Sequence, residues 1–339
     1  MAETSKTIRG VALVGSGSAV PQQKLSNAQL GMRVETSDEW IKSRTGIKYR
    51  HILGQEETLT QLISRAGKSA LEMAQWEANS LDMIILASST PDDLFGSAPK
   101  AQADLKATNA VAFDLTAACS GFLFGLVTAA QFLRSGSMKR ILVIGADQLS
   151  SWVDWDDRRS CVLFGDAAGA LALEATSYEL DDLLGFKLKS DGMRGNCLNI
   201  SKSAKYLPLA EEIMHQRGEY SRISMNGQEV YKFAVKEVPS ILEDLLITHQ
   251  ISPDSLNWLL LHQANQRILD AVADRFSIPK QKVLSNLANY GNTSAATIPL
   301  MLDEAINDGR VKSGDLIASS GFGAGLSWGA ALFRWRGPV

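Results

Sequence analysis

The sequence predicts an α/β fold made of two similar halves, and two observations support this prediction. Strand-length apolar runs alternate with helix-length runs along most of the chain, which is the element order typical of α/β proteins. In addition, residues 80–88, "SLDMIILAS", are similar to residues 255–263, "SLNWLLLHQ", and Gly136 after a helical run matches Gly309 at almost the same offset. A repeat of strand, loop, helix and glycine at a nearly constant offset indicates a duplicated unit.

The predicted elements follow from the spacing of apolar residues and from the turn residues that bound each run. The predicted strands are residues 11–17, 82–88, 111–115, 140–147, 169–175, 257–263, 282–287 and 315–323. The predicted helices are residues 58–74, 121–136, 229–249, 264–277 and 295–309, and two of them end in glycine near a C-cap position. We place the two halves at residues 1–180 and 181–339 and expect their equivalent loops to face each other.

A short glycine segment, "GSGS" at residues 15–18, is a weak candidate for a dinucleotide site. Val20 stands where the third glycine of the G-x-G-x-x-G pattern belongs. We therefore predict a tight turn with close packing after the first strand instead of a nucleotide-binding loop.

The composition indicates a globular protein and excludes several classes of site. The 339 residues include 34 Lys and Arg against 37 Asp and Glu, for a formal net charge of −3, so we expect no binding of nucleic acid. The three cysteines have no paired spacing and lie far in sequence from the four histidines, which predicts neither disulfides nor a zinc site. Residues 117–130 form the most apolar run, which is too short to span a membrane. We expect a cytoplasmic protein.

A lone cysteine, Cys119, precedes the apolar helical run in "DLTAACSGFLFGL". A helix N-terminus offers unpaired backbone N–H groups and a partial positive charge, which favour thiolate over thiol. At the matching point of the second half we place Asn292, in "NYGNTSAATIPL". The alternative is that Cys119 is a small apolar residue packed under a buried helix.

Among the four histidines, His262 has the most informative position, because it ends the apolar run "NWLLLHQAN". Residues at the carboxyl ends of strands in open α/β sheets face the crevice where ligands bind. The alternative is a hydrogen-bonded structural histidine. His51, His215 and His249 stand among polar neighbours and are predicted to lie at the surface.

Several longer segments resemble a known family. They are "TSDEWIKSRTGIKYRHI", "FDLTAACSGF", "GADQLSSWVDWDDRRSCVLFGDAAGA", "MNGQEVYKFAV", "LLLHQANQRI", "YGNTSAATIPLMLDEA" and "GFGAGLSWGA", and they span nearly the whole chain. In these segments the chain resembles the β-ketoacyl-acyl-carrier-protein synthase III family, the initiating condensing enzymes of bacterial-type fatty-acid synthesis. "HQAN" followed by "GNTSAA" at this separation is the most specific part. The resemblance implies a thiolase-like fold with a layered α-β-α-β-α core.

The resemblance also implies roles for the catalytic candidates. Cys119 matches the nucleophile that takes the acyl group, while His262 and Asn292 match the pair that binds the thioester oxygen of the malonyl group. The backbone amides of Cys119 and of Ala324 in "GFGAG" would form the oxyanion hole for the acyl-enzyme carbonyl. Some members have Gly where this chain has Ala324, and either residue supplies an amide donor.

Further residues match the family's binding positions. Trp40 and Arg158 would flank the adenine of coenzyme A, and the neighbouring Arg159 leaves open which guanidinium stacks. The other implied positions are Arg44 near the phosphates, Asn265 and Lys232 along the pantetheine path, Phe95 closing the primer pocket from the partner subunit, and Arg267 and Arg275 for docking the carrier protein.

The implied reaction is a decarboxylating condensation. A short acyl-CoA, acetyl-CoA first, reacts with malonyl-acyl-carrier protein to give 3-ketoacyl-acyl-carrier protein, CoA and carbon dioxide, in a homodimer without metal or cofactor. The residue chemistry agrees, because a thiolate is both nucleophile and leaving group. Two donors aimed at the malonyl carbonyl oxygen stabilise the enolate that decarboxylation produces.

Other protein classes share the Cys, His, Asn order. The separation of Cys119 from His262 suits a papain-like protease, but "AACSGF" differs from that family's cysteine segment and lies far from the N-terminus. A thiolase would carry a second cysteine in the final glycine-rich loop, and "SSGFGAGLSWGA" has none. A plant-type polyketide synthase shares the trio without these flanking segments, and a purely binding relative has no need of three reactive groups. A related condensing enzyme of polyketide or secondary metabolism with a different primer remains the alternative.

Overall fold

The fold was obtained as a computed structural model, which describes residues 9–338. Its strands are β1 (Gly10–Ala19), β2 (Lys24–Ser26), β3 (Tyr49–His51), β4 (Met83–Ala87), β5 (Val111–Leu115), β6 (Arg140–Gln148), β7 (Asp166–Thr176), β8 (Leu183–Ser190), β9 (Leu198–Asn199), β10 (Lys202–Ala210), β11 (Ile213–Tyr220), β12 (Ser224–Met225), β13 (Trp258–Leu261), β14 (Val283–Leu284), β15 (Leu316–Gly323) and β16 (Ser327–Arg334). Its helices are α1 (Asn27–Gly31), α2 (Asp38–Thr45), α3 (Leu59–Met73), α4 (Ala98–Asp104), α5 (Gly121–Arg134), α6 (Gly227–Thr248), α7 (Gln266–Arg275), α8 (Leu287–Tyr290) and α9 (Thr297–Asn307).

Two five-stranded sheets repeat one topology. The first sheet has the order β1-β7-β6-β4-β5, and the second, read in the same sense, has the order β8-β16-β15-β13-β14. In both sheets the last three strands are parallel to one another, and the first two pairings are antiparallel. The strand order and directions thus confirm the predicted pair of similar α/β halves.

The sheets and helices form five layers. α5 and α9 lie between the two sheets, where Phe122 and Met301 share a core with Val143 of the first sheet and Leu260 of the second. α3 packs on the outer face of the first sheet. α6 and α7 pack on the outer face of the second. This is the predicted α-β-α-β-α arrangement, and it places the N-terminal ends of α5 and α9 in the same interior layer.

The turns before α5 and α9 are equivalent. Residues 118–120 form a 3-10 turn ahead of α5, and residues 294–296 form one ahead of α9. The first residue of each turn is left-handed, with φ of 48° at Ala118 and 53° at Ser294. The residue of the second half that is structurally equivalent to Cys119 is therefore Ala295. The predicted equivalence of Cys119 and Asn292 was wrong by three positions.

Three features differ from the predicted elements. The "GSGS" segment lies inside β1 and forms no turn, because its glycines let the strand approach α3 closely. β8 and β16 complete the second sheet, and the exposed β10–β11 hairpin stands apart from both sheets. Within residues 9–338, none of the helices combines the length and the apolar character that crossing a membrane requires.

Candidate active site

Cys119 lies in the 3-10 turn before α5 and lines a cavity that opens to the surface. The side chain is only 7% exposed, and the cavity has a volume of about 630 Å³. The cavity is mostly apolar, and its lining residues are Ser89, Thr90, Pro91, Leu94, Thr116, Ala117, Ala118, Cys119, Leu149, Trp152, Phe164, Leu198, Asn199, Ile200, Tyr220, Ile223, Ser294, Ala324 and Ser327. A thiol at the wall of an apolar cavity of this size can face a short acyl chain.

Ser294 connects the three predicted catalytic residues. Its Oγ lies 3.3 Å from the Cys119 sulphur, and its backbone N–H donates to Asn292 Oδ1 at 2.9 Å. Its carbonyl oxygen lies 3.0 Å from Thr297 Oγ1, and Thr297 Oγ1 lies 2.7 Å from His262 Nδ1. One turn of the second half therefore brings Cys119, His262 and Asn292 into a single hydrogen-bonded group.

His262 is held on two sides. Its backbone N–H donates to the Ser320 carbonyl of β15 at 2.8 Å, and its ring packs edge-on against Phe322 with centroids 5.5 Å apart. The position at the end of β13 confirms the predicted placement at a strand's carboxyl end.

The protonation of both reactive groups is set by burial. Burial raises the pKa of Cys119 to about 12, although a hydrogen bond with Ser294 lowers it in part. Burial also lowers the pKa of His262 to about 3, so the imidazole is neutral at physiological pH. Desolvation of the sulphur thus opposes the thiolate that a helix N-terminus favours.

The loop after β15 approaches the turn that holds Cys119. A Cβ on Gly323 would lie 2.6 Å from the Cys119 backbone nitrogen, so the two backbones are nearly in contact. Ala324 begins a 3-10 turn and lines the same cavity as Cys119. On the other side, Ser120 Oγ donates to the Ser327 carbonyl at 3.0 Å. These contacts hold the Cys119 segment and the Ala324 segment, which are predicted to form the oxyanion hole, next to each other.

Trp40 and Arg158 form a pair at the surface. The Arg158 guanidinium lies 5.5 Å from the centre of the Trp40 ring and donates to the Glu35 carbonyl at 2.9 Å. Arg159 instead forms an ion pair with Asp157 at 2.9 Å. Of the two arginines, Arg158 is thus the one that faces the tryptophan.

The other residues matched to coenzyme A positions do not line the cavity. Asn265 caps α7 and donates through Nδ2 to the Arg44 carbonyl at 3.1 Å. The Arg44 side chain itself is exposed. Lys232 is exposed and pairs with Glu229 at 2.8 Å. Asn265 and Arg44 are neighbours, whereas Lys232 stands on α6.

Phe95 is 98% exposed and does not line the cavity of its own chain. It belongs to the loop before α4, and two neighbours in that loop, Pro91 and Leu94, do line the cavity. The loop is therefore positioned so that Phe95 projects away from the chain.

The two arginines matched to carrier-protein docking lie on α7 and are both exposed. The Arg267 guanidinium lies 5.2 Å from the centre of the Tyr231 ring. Arg275 is 3.5 Å from Glu243 of α6. Exposed ion pairs of this kind are weak, so Arg275 can exchange this partner for an external acidic group.

The residues missed by sequence reasoning are Ser294, Thr297 and Asp147. Ser294 and Thr297 stand in the quoted "GNTSAATIPL" segment, so their hydroxyls near Asn292 were a usable signal. Asp147 is the last residue but one of β6, in "VIGAD", and it is fully buried. An acidic residue in the interior end of a strand is rare enough to be a signal by itself.

Family models match two parts of the chain, one in each half. The model described as 3-oxoacyl-[acyl-carrier-protein] synthase III matches residues 113–192, and the model of its C-terminal part matches residues 246–335. The chain is 70% identical over 339 residues to the β-ketoacyl-[acyl-carrier-protein] synthase III of Prochlorococcus marinus (strain MIT 9313), with 100% of each chain covered.

Solved structures show the same likeness. The 3-oxoacyl-[acyl-carrier-protein] synthase III of Aquifex aeolicus VF5 is 42% identical with a TM-score of 0.87, covering 96% of this chain and 100% of that one. The priming β-ketosynthase of the R1128 polyketide pathway is 29% identical with a TM-score of 0.89, covering 100% of both. The chain belongs to the β-ketoacyl-[acyl-carrier-protein] synthase III family, acyltransferases whose condensing reaction initiates fatty-acid synthesis.

Proposed function

We propose that this chain transfers a short acyl group from acyl-CoA to Cys119 and then condenses it with malonyl-acyl-carrier protein. The observation that carries the proposal is the contact of Ser294 with Cys119, Asn292 and, through Thr297, His262. This contact joins the nucleophile, which lines the apolar cavity together with Ser294, to two candidate donors in one hydrogen-bonded group.

In the first half-reaction, the Cys119 sulphur attacks the acyl-CoA carbonyl carbon. The backbone amides of Cys119 and Ala324 stabilise the oxyanion, a role supported by the close approach of Gly323 to the Cys119 nitrogen. The Arg158 and Trp40 pair offers a cationic and aromatic surface for adenine. Arg44 and Asn265 are neighbours, and with the exposed Lys232 they would hold the remaining parts of coenzyme A.

In the second half-reaction, His262 and Asn292 bind the malonyl thioester oxygen. The Thr297 hydroxyl has one proton and two acceptors in reach, the Ser294 carbonyl at 3.0 Å and His262 Nδ1 at 2.7 Å. We assign the proton to the shorter contact, and the Ser294 carbonyl keeps the Thr297 backbone N–H. A neutral imidazole that accepts at Nδ1 carries its proton on Nε2. Asn292 Oδ1 is occupied by the Ser294 N–H, which orients Nδ2 as the second donor. These groups complete the chemistry without a metal or an organic cofactor.

The proposal includes a homodimer. β5 is the edge strand of the first sheet, and its Val111 is exposed while Phe113 and Leu115 are half-buried. An edge strand with such side chains can pair with a second copy. Phe95, which projects from its own chain, would then reach the partner's primer cavity. The three cysteines are free thiols, which agrees with a cytoplasmic location.

The carrier protein is proposed to dock on α7 through Arg267 and Arg275, because acidic carrier surfaces suit exposed arginines. A role in polyketide metabolism is less well supported. The resemblance to the R1128 enzyme is 29%, whereas the curated relatives named as β-ketoacyl-[acyl-carrier-protein] synthase III reach 69% and 70%.

The test separates the two half-reactions in Asn292→Ala. This variant should still take up labelled acetyl groups from acetyl-CoA, and carbon dioxide release from malonyl-acyl-carrier protein should fall about 100-fold, since one donor is lost. Asn289→Ala, which changes an exposed asparagine three residues away, is the matched control and should perform both steps. If Asn292→Ala decarboxylates at the wild-type rate, its enolate-binding role is wrong.

The site of acetylation is tested by peptide mapping. Cys119→Ser should lose the acetyl label, and Cys161→Ser and Cys197→Ser should keep it. A label on Cys161 or Cys197 would contradict the assignment of the nucleophile.

A further inference from the structure

Arg50 of β3 is a fully buried arginine. Within residues 9–338 its hydrogen bonds all go to uncharged oxygen atoms. Nη2 donates to Asn27 Oδ1 at 2.9 Å and to the Val162 carbonyl at 2.8 Å, and Nη1 donates to the Leu25 carbonyl at 3.5 Å. A buried cation without a paired carboxylate is costly, and an apolar side chain of similar volume often fills such a site at lower cost. We therefore asked what the guanidinium holds in place.

Asn27 fixes the orientation of the guanidinium. Asn27 is itself buried, and its Nδ2 donates to Asp38 Oδ1 at 2.9 Å and to the Ile47 carbonyl at 2.8 Å. Because both amide hydrogens are used, the orientation of Oδ1 toward Arg50 is fixed as well. One Nη2 hydrogen goes to this oxygen, so the planar guanidinium directs the other at the Val162 carbonyl.

Val162 begins the segment that holds the backbone of Asn292. The Leu163 carbonyl accepts the Asn292 N–H at 2.9 Å, and the Gly165 N–H donates to the Asn292 carbonyl at 3.0 Å. Between them, Phe164 and Asn292 form an isolated parallel bridge outside the two five-stranded sheets. Both backbone groups of Asn292 therefore depend on this segment, and a displacement of the segment displaces Asn292.

The aliphatic part of Arg50 packs against the same bridge. A Cβ on Gly165 would lie 3.2 Å from Arg50 Cβ, and a Cβ on Gly291 would lie 3.5 Å from it. Gly291 directly precedes Asn292 and has a left-handed φ of 65°. Arg50 thus lies against one residue from each side of the bridge while its guanidinium holds the Val162 carbonyl.

The other two catalytic candidates are held by different contacts. The turn that contacts Cys119 through Ser294 is fixed by the Ala295 N–H, which donates to Asp147 Oδ2 at 3.2 Å. His262 is hydrogen-bonded to β15 through its backbone. A displacement of the bridge should therefore move the asparagine and leave the cysteine and the histidine nearly in place.

We propose that Arg50 is a positioning residue that holds Asn292 for malonyl binding, an inference that rests on the enolate-binding role proposed for Asn292. Arg50 does not line the cavity, so it acts through Asn292. The Asn292 Nδ2 group must lie within hydrogen-bond reach of the developing enolate oxygen, and a misplacement of about 1 Å can cost about 100-fold in rate. Decarboxylation therefore depends on Arg50, whereas acetylation of Cys119 does not.

A double-mutant cycle tests whether Arg50 acts through Asn292. Arg50→Met removes the guanidinium and keeps an unbranched side chain. It should lower carbon dioxide release from malonyl-acyl-carrier protein about 10-fold and leave acetylation of Cys119 by acetyl-CoA nearly unchanged. In an Asn292→Ala background the same substitution should cause no further loss, because the group that Arg50 positions is already absent. Losses that multiply in the double variant, or equal losses in both half-reactions, would overturn the proposal.

Arg50→Lys covers the case in which Arg50→Met does not fold. It keeps the buried cation, but an ammonium group lacks the planar fork that holds Asn27 and Val162 together. This variant should also lose decarboxylation selectively, by a smaller factor, and show no further loss when combined with Asn292→Ala. Decarboxylation at the wild-type rate in every folded Arg50 variant would overturn the proposal.

Arg134→Met is the matched control. It removes another guanidinium that donates to a backbone carbonyl, that of Leu183, and Arg134 stands at the opposite end of α5 from Cys119. The ratio of decarboxylation to acetylation should remain that of the wild type. A wild-type rate of decarboxylation in Asn292→Ala alone would instead reject the proposed function, so the two failures are distinguishable.

Discussion

The Thr297 hydroxyl contacts His262 and helps determine which ring nitrogen carries the proton. Thr297→Val removes the donor to Nδ1 while keeping the shape of the side chain, so the imidazole can adopt the tautomer with an unprotonated Nε2. We expect carbon dioxide release from malonyl-acyl-carrier protein to fall about 100-fold and acetylation of Cys119 to change little. Thr297→Ser, which keeps the hydroxyl, should restore decarboxylation. Equal losses in both half-reactions would contradict this role.

The pKa of Cys119 gives a prediction about pH. With a pKa near 12, the thiolate fraction of the free enzyme grows about tenfold for each pH unit between pH 7 and 10. Alkylation of Cys119 by iodoacetamide, followed by peptide mass spectrometry, should therefore rise steeply over this range without levelling. A plateau below pH 9 would show that the sulphur is already ionised there.

The sequence predicted which residues lie together better than it predicted their protonation. Cys119, His262 and Asn292 could be predicted because they stand in segments with a family resemblance. The raised pKa of Cys119 could not, since it depends on how completely the two halves bury the sulphur. Asp147 was missed because its contacts come from residues far away in sequence, the 88–90 loop and Ala295.

At the scale of elements, the contact between β1 and α3 depends on glycine. A Cβ on Gly17 would overlap the Ala66 carbonyl of α3. Gly17→Ala should lower the free energy of unfolding by about 2 kcal/mol, because the strand and helix must separate. Gly192→Ala, where a Cβ meets nothing within 4 Å, is the control. Urea unfolding of the two variants measures the difference, and equal midpoints would contradict the close approach.

The strands with long branched side chains were the easiest elements to predict. β4 and β6 read "MIILA" and "RILVIGADQ", and their apolar runs are typical of buried parallel strands. β16 was missed because "SWGAALFR" is rich in small residues and follows a glycine loop. The β10–β11 hairpin was missed because its side chains are almost all exposed, so no burial pattern marks it.

At the scale of the whole molecule, the two sheets share one core between them. Leu123 of α5 and Ile298 of α9 belong to the same buried cluster as side chains from both sheets. We therefore expect calorimetry to show one unfolding transition with equal calorimetric and van't Hoff enthalpies. Two resolved transitions would indicate that each half unfolds independently.

The proposed dimer is tested at its edge strand. The wild type should sediment at twice the chain mass of 36.7 kDa, and Val111→Asp should shift it toward the monomer, because a charge on the β5 edge opposes pairing. Tyr178→Asp changes another exposed apolar residue, away from β5, and should remain dimeric. A Val111→Asp variant as dimeric as the wild type would place the interface elsewhere.

The two left-handed turns before α5 and α9 also have an evolutionary consequence. In a symmetric pair of identical chains, each mutation appears in both copies of a turn at once, so a cysteine gained on one side is gained on the other. Joining the copies in one gene removes this constraint. In the fused chain, Cys119 occupies the position equivalent to Ala295, and Ser294 occupies the position equivalent to Ala118. A fused chain can therefore carry a thiol in one turn and a hydroxyl in the other, whereas a symmetric pair of identical chains must carry the same residues in both turns.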